Sequence, residues 1–211
     1  MLNIQLRYLS FFFGIVSIFS FLNVVYSYYL NLYLNLNTYY YTLILSFIIS
    51  ILFYKLRIPK KKISIFDKIL TVFLGYLIIP IVLSIPFYLS IYNLTFLSSY
   101  FESISGFTST GFSIFDNIKH IDQSLILWRS STQWLGGLYF LFSIILLIDI
   151  YDENFKKTLT NFISFDSSEI FKQALKIFLL YSALTLVIFI ILNIFSVRSF
   201  NSLNLAFTLI S

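Results

Sequence analysis

At 211 residues, 59% of them hydrophobic and only 11% charged, the chain is too apolar to cover its own surface in water, since soluble domains sit at about 45–50% apolar and about 25% charged. The lack of cysteine excludes disulfides and thiolate metal sites, and a single histidine excludes a histidine-rich metal site within the chain. The net charge of +5 reads as orientation information for a membrane protein rather than as a nucleic-acid surface, because no basic stretch is interleaved with polar, base-reading residues.

The first predicted span covers residues 8–30, which carry no charge and exceed the roughly 20 helical residues that cross a bilayer core. It lacks the short apolar core and small-residue cleavage site of a signal peptide and reads as a retained helix. An uncharged linker, NLYLNLNT at 31–38, leads to a shorter second span at 39–54 that continues to about residue 56. A basic loop follows, with Lys55, Arg57, Lys60, Lys61, Lys62 and Lys68 against Asp67 alone. Pro59 fits its turn, because proline does not continue a helix. The third span, 66–90, holds Pro80 and Pro86, which predict a kink or an end near its outer side. The fourth, 123–151, carries Arg129 near its top. A polar loop at 152–169 precedes a fifth span at 170–195, and NSLNLAFTLIS from Asn201 starts another amphipathic stretch.

Residues 91–122, between the third and fourth spans, are too polar and interrupted to cross. They contain a short apolar helix pattern, LTFLSSYFESISGF, followed by small and hydroxyl residues. Such a stretch between two spans predicts a re-entrant segment. Non-helical backbone at membrane depth is tolerated only where it is buried in protein or lines a water-filled cavity, so this segment is the functional candidate. With the N-terminus inside, Arg7, Lys55, Arg57, Lys60, Lys61, Lys62, Lys68, Lys156, Lys157, Lys172 and Lys176 fall inside, and Lys119, Arg129 and Arg198 outside. That split of 11 against 3 follows the positive-inside rule and makes the segment enter from the outer face.

A cation leaving water needs its hydration shell replaced, which rings of backbone carbonyls do in selectivity filters. Thr108, Ser109, Thr110, Gly111 and Phe112 offer such a strand, with glycine for unusual dihedrals, hydroxyls for further oxygens, and the cation placed at Ser109, Thr110 and Gly111. The preceding short helix is expected to end near Gly106, its negative C-terminal end toward the ion path. Gly106 serves either as that helix's C-cap or as filter support. Glu102 attracts cations at the mouth or, as favoured, hydrogen-bonds neighbouring backbone behind the pore helix. Arg129 pairs with Glu102 or a loop carbonyl, or snorkels. Gly136 and Gly137 permit close helix approach or are ordinary membrane-helix glycines. His120 reads as a solvated loop residue, as do Asp116 and Asp122, which at most concentrate cations modestly. The aromatic share of 21% reads mostly as interfacial belts and lipid-facing bulk.

The run FESISGFTSTGFSIF, then LILWRSSTQWLGG from Leu125, resembles the first pore repeat of Trk-type bacterial potassium-uptake subunits, in a superfamily with the Ktr and plant HKT transporters. The family pattern is similar to FE-x-x-SGFTTTG followed by WRSLTQWLGG. Phe101, Glu102, Ser105, Gly106, Phe107, Thr108, Thr110 and Gly111 match it, as do Trp128, Arg129, Gln133, Trp134, Leu135, Gly136 and Gly137. Ile85-Pro86-Phe87 and Asp67 fit more loosely. Ser109 stands where the family has a middle threonine, Leu138-Tyr139-Phe140 where it has Met-Gly and small residues, and Asp149 and Asp152 where Pro and Gly are usual.

The resemblance implies an all-α integral membrane protein: two leading helices (1–56), one helix–pore loop–helix repeat (57–151), and a cytosolic loop with the start of a second repeat (152–211). It implies potassium uptake across the bacterial inner (plasma) membrane by a channel-like cation transporter, with K+ or Na+ as the transported ion and no covalently bound cofactor. The implied partners are a cytosolic nucleotide-binding regulatory subunit, docking on inner loops such as 55–68, and a second copy of the full-length protein. Four repeats surround one pore in that family, and this sequence supplies one repeat and part of another. The alternative is therefore a truncated, non-transporting membrane fragment that needs a second chain to complete the pore. A membrane enzyme is disfavoured, since no paired carboxylates share a helix face and no histidine pair exists.

Overall fold

The computed structural model describes residues 6–56, 65–117, 120–147 and 170–211. Its helices are α1 (Leu6–Tyr29), α2 (Leu36–Lys55), α3 (Ile65–Leu83), α4 (Ile85–Tyr88), α5 (Phe96–Phe107), α6 (Gln123–Leu147), α7 (Ile170–Ile194) and α8 (Ser199–Ile210). Five segments among the described residues are long and apolar enough to cross a membrane: Leu6–Tyr29, Leu36–Lys55, Ile65–Tyr88, Gln123–Leu147 and Leu175–Ile194. The chain is a multi-pass, all-helical membrane protein. Arg57, Pro59, Lys60, Lys61, Lys62, Lys119 and the segment 148–169, with Asp149, Asp152, Lys156 and Lys157, lie outside the described residues.

The predicted spans all appear, with shifted ends. The second helix starts at Leu36 rather than in the predicted linker's wake at residue 39. The third span is not one regular helix to residue 90. Pro80 sits inside α3, and the chain breaks at Ser84 before Pro86 opens the short α4. Proline lacks an amide hydrogen and crowds the preceding turn, so two of them within seven positions divide the span near its C-terminal end.

Several helices end on the same device without glycine. Asn31 closes α1 with φ +58, Ser109 follows α5 with φ +54, and Ser196 follows α7 with φ +62. In each case an amide reaches back five residues in Schellman fashion: Leu32 to the Ser27 carbonyl (2.8 Å), Thr110 to Ser105 (3.0 Å) and Val197 to Leu192 (3.1 Å). Asparagine and serine tolerate this left-handed region at a cost of about 1 kcal/mol.

Lipid offers no hydrophobic drive for helix pairing, so membrane helices associate through small residues and interhelical hydrogen bonds. In the α1/α2 pair, Ser10 Oγ donates to the Ser50 carbonyl (2.8 Å) and Ser50 Oγ to the Ser10 carbonyl (2.9 Å). Higher up, Ser20 Oγ donates to the Tyr39 carbonyl (3.2 Å).

The buried helix α6 bonds to its neighbours in turn. Trp128 Nε1 donates to the Leu83 carbonyl (3.0 Å), Tyr139 to the Val72 carbonyl (2.9 Å) and Trp134 Nε1 to Thr185 Oγ1 (2.9 Å). Tyr39 of α2 meets Ser124 (2.9 Å), and Tyr8 of α1 meets Ser143 (3.3 Å). Tyr139, one of the bulky residues that departs from the family pattern, is fully buried. Its ring lies 4.8 Å from those of Phe12 and Tyr76 and 5.2 Å from Phe107. Its hydroxyl enters a notch at Gly75, where an added Cβ would lie 1.8 Å away. Gly75→Ala is therefore expected to cost about 2 kcal/mol by overpacking, and Tyr139→Phe in the same chain to recover part of it. Denaturant titration of the two single variants and the double in detergent micelles checks this.

Candidate functional site

Helix α5 is too short to cross a membrane and sits between two segments that are long enough to do so. It starts at Thr95, whose Oγ1 accepts from the Ser98 amide (3.2 Å) and donates to Ser98 Oγ (2.9 Å), a side-chain cap that satisfies an orphan amide. The helix lies against α6 by close approach. A Cβ on Gly106 would fall 2.3 Å from Thr132 Oγ1, and one on Gly136 would fall 1.9 Å from the Phe107 carbonyl oxygen.

The helix ends at Phe107, one residue past the expected end near Gly106. Gly106 is inside the last turn rather than at the C-cap. Thr108 is the cap, with φ −91 and ψ 6, and Ser109 takes the left-handed position usually held by glycine. The amides of Thr110 and Gly111 both donate to the Ser105 carbonyl, at 3.0 and 3.3 Å. Gly111 has φ +80, and a Cβ there would meet nothing within 4 Å.

From Thr110 the chain is non-helical and runs back along α5. Ser105 Oγ donates to the Phe112 carbonyl (2.7 Å), and Arg129 Nη2 to the Gly111 carbonyl (3.2 Å). The carbonyls of Thr108, Ser109 and Thr110 accept no hydrogen bond among the described residues. Thr108 Oγ1 donates to the Ile104 carbonyl (2.8 Å) and meets Thr110 Oγ1 at 2.8 Å. All five residues from Thr108 to Phe112 are exposed in this chain.

Behind this strand lies a buried ion pair. Glu102, 1% exposed, receives Arg129 Nε at 2.5 Å, the Ile114 amide at 2.9 Å and Ser113 Oγ at 3.2 Å from each carboxylate oxygen. A desolvated charge persists where an opposite charge and further donors satisfy it. The structure thus brings Glu102, Arg129 and Gly111 together, as one of the sequence alternatives had it. Ser113 and the Ile114 amide were not singled out by the sequence, and Ser105 only as a matched position of the family pattern. Only the spacing of Glu102 and Ser105, three apart on one helix face, hinted that both would meet the returning strand.

The face of α6 one step round takes α8. Ser130 Oγ donates to Asn204 Oδ1 (2.5 Å), and the rings of Trp134 and Phe207 lie 6.1 Å apart. A Cβ on Gly137 would fall 2.4 Å from Tyr181 Oη of α7 and 2.8 Å from the Cα of Ser211, which follows α8. The adjacent glycines Gly136 and Gly137 therefore admit different neighbours, the end of α5 at Gly136 and α7 with the residue after α8 at Gly137. Asp122 is not a free loop acid: Asn35 Nδ2 (3.1 Å) and the Ser124 hydroxyl both donate to it. His120 and Asp116 are exposed.

No protein-family model matches the chain. An uncharacterized cation transporter of Methanocaldococcus jannaschii is 37% identical over 65 residues, 31% of this chain and 14% of that protein. A Trk system potassium uptake protein of Halomonas elongata, TrkI, is 40% identical over 55 residues, 26% of this chain and 11% of its own length. The Escherichia coli Trk system potassium uptake protein TrkG is 27% identical over 73 residues, 34% and 15% respectively. In fold, the chain is similar to the crystal structure of the potassium transporter TrkH from Vibrio parahaemolyticus, with a TM-score of 0.74 at 16% identity, over 96% of this chain and 41% of that one. The resemblance to Trk-type potassium-uptake subunits thus stands in both sequence and fold, while the chain spans less than half of the solved transporter and the matched segments span 11–15% of the curated relatives.

Proposed function

We propose that this chain, similar in sequence and fold to Trk-type potassium-uptake proteins, supplies one wall of a channel-like pore for potassium uptake. The observation that carries the reading is the uncoiled strand at Thr108 to Phe112. It follows the C-terminal end of α5 and has main-chain oxygens left over once its ends are anchored. In this reading α3, α5 and α6 form a helix–pore loop–helix repeat, and α7 with α8 starts a second. K+ lies at the oxygens of Ser109, Thr110 and Gly111, with Thr108 below. The Gly111 carbonyl takes one bond from Arg129 and keeps a second lone pair for an ion. The negative end of α5 favours a cation there, and Glu102 and Arg129 hold the strand from behind. The N-terminus lies in the cytoplasm of a bacterial cell and the strand opens to the outside. Assembly of the full-length protein as a homodimer, and gating by a cytosolic nucleotide-binding subunit, follow from the same likeness.

A second reading has a specific observation in its favour. One strand makes one wall, and a cation cannot exchange its hydration shell for one wall of oxygens. By that reading the chain is inactive until another chain closes the ring. Growth of a bacterium lacking its own potassium uptake, at limiting K+, separates the two. Rescue by this chain alone supports self-assembly into a pore. Rescue only with a second chain carrying the remaining repeats supports the completed-ring reading. Failure in both arms, with the protein present in the membrane, rejects a transport function.

A further inference from the structure

Along the α6 face that meets α5, three levels can be read. Arg129 stands beside Glu102 and the Gly111 carbonyl. Gly136, two helical turns deeper, lies against the Phe107 carbonyl. Gln133 falls between them, at the i+4 position from Arg129 on the same face. The strand leaving Phe107 climbs from the Gly136 level to the Arg129 level, so Gln133 stands at the height of its middle residues. The Gln133 Cγ lies 3.8 Å from the Cβ position of Gly106, which places the side chain against the last turn of α5. Gln133 is only 7% exposed, and its Oε1 is buried without a hydrogen-bond partner. An unpaired buried amide oxygen carries a desolvation penalty of about 1–3 kcal/mol.

One acceptor, the Ser105 carbonyl, takes both the Thr110 and the Gly111 amides, at 3.0 and 3.3 Å. That sharing belongs to the folded cap with Ser109 at φ +54. If the cap opens so that the Thr108, Ser109 and Thr110 carbonyls line an ion path, an amide released from Ser105 needs another acceptor.

We propose that Gln133 is the positioning residue for the opened strand: its Oε1 accepts the Thr110 or Gly111 amide that Ser105 gives up and holds the strand straight behind the ion. This rests on the reading of Thr108 to Phe112 as an ion path and adds the residue that steadies it. K+ binding and the Gln133 bond then support one another, because both need the opened strand.

The test is amide hydrogen exchange in lipid nanodiscs of whichever assembly rescues growth, the chain alone or together with the chain that completes the ring, in K+ and in Na+, for wild type, Gln133→Met and Gln133→Glu. In wild type, K+ is expected to slow exchange at Thr110 and Gly111 about tenfold relative to Na+. Gln133→Met fills the same space without an acceptor and is expected to abolish that K+ effect, while α3 and the rest of α6 exchange as before. Gln133→Glu keeps an acceptor oxygen and is expected to retain it. K+ protection equal in wild type and Gln133→Met overturns the role of Gln133 and leaves the ion path standing. Exchange in wild type that is the same in K+ and Na+ overturns the ion path and this proposal with it. Faster exchange spread evenly over α5 and α6 in Gln133→Met overturns the proposal in favour of simple packing.

Discussion

Glu102→Ala is expected to destabilise the chain by about 3 kcal/mol, because it removes one partner of a buried pair and strands the other. The Arg129 side chain is 14% exposed and, among the described residues, keeps the Gly111 carbonyl as partner. The Ile114 amide and the Ser113 hydroxyl lose their acceptor at the same time. Each of those groups is part of the strand's return path, so the damage reaches Thr108 to Phe112 without touching them. Uptake in the growth assay is expected to fall to background. Glu102→Ala combined with Arg129→Ala is expected to be less destabilised than the sum of the two singles, since the double variant leaves no stranded charge. Denaturant titration of the four proteins in micelles reads the coupling. An additive result would mean that the pair contributes no interaction of its own.

Gly136→Ala should break the seat of α5. Its Cβ would fall 1.9 Å from the carbonyl oxygen, 2.5 Å from the carbonyl carbon and 2.8 Å from the Cα of Phe107. These are backbone atoms, so no rotamer change relieves the clash and the end of α5 itself has to move. The expected cost is about 3 kcal/mol, at the upper end for overpacking, with loss of potassium-limited growth rescue by whichever assembly is active in wild type. Gly14→Ala is the control. Its Cβ would stand 3.4 Å from Ser50 Oγ, and a change in stability within about 0.5 kcal/mol is expected. Equal behaviour of the two variants would mean that α5 can shift freely on α6.

The existence of each span was legible because lipid imposes a length and a composition on any helix that crosses it. The re-entrant candidate was legible by contrast, as a short helix pattern with hydroxyls between two long apolar runs. Helix α5 runs one residue past Gly106, near which its end was expected, for a physical reason. Glycine is the usual residue beyond a helix, but here it is used inside the helix for contact with Thr132, and Ser109 carries the left-handed turn. The break at Ser84 was signalled by its prolines. The start of α2 at Leu36 was not, since Asn35 makes no side-chain cap bond.

From the order of residues alone came the membrane class, the number and placing of long apolar helices, and the stretch from Phe101 to Phe112 as the chemically unusual one. Those are consequences of local composition, which each segment carries by itself. What tertiary structure decided is which of several available partners each polar group takes. Glu102 holds the returning strand and Arg129, Tyr139 fits the notch at Gly75, and Gly136 and Gly137 serve different neighbours. Such choices depend on the distance between helices far apart in the chain. A buried charge or a missing Cβ acquires its meaning only when the surface opposite it is known.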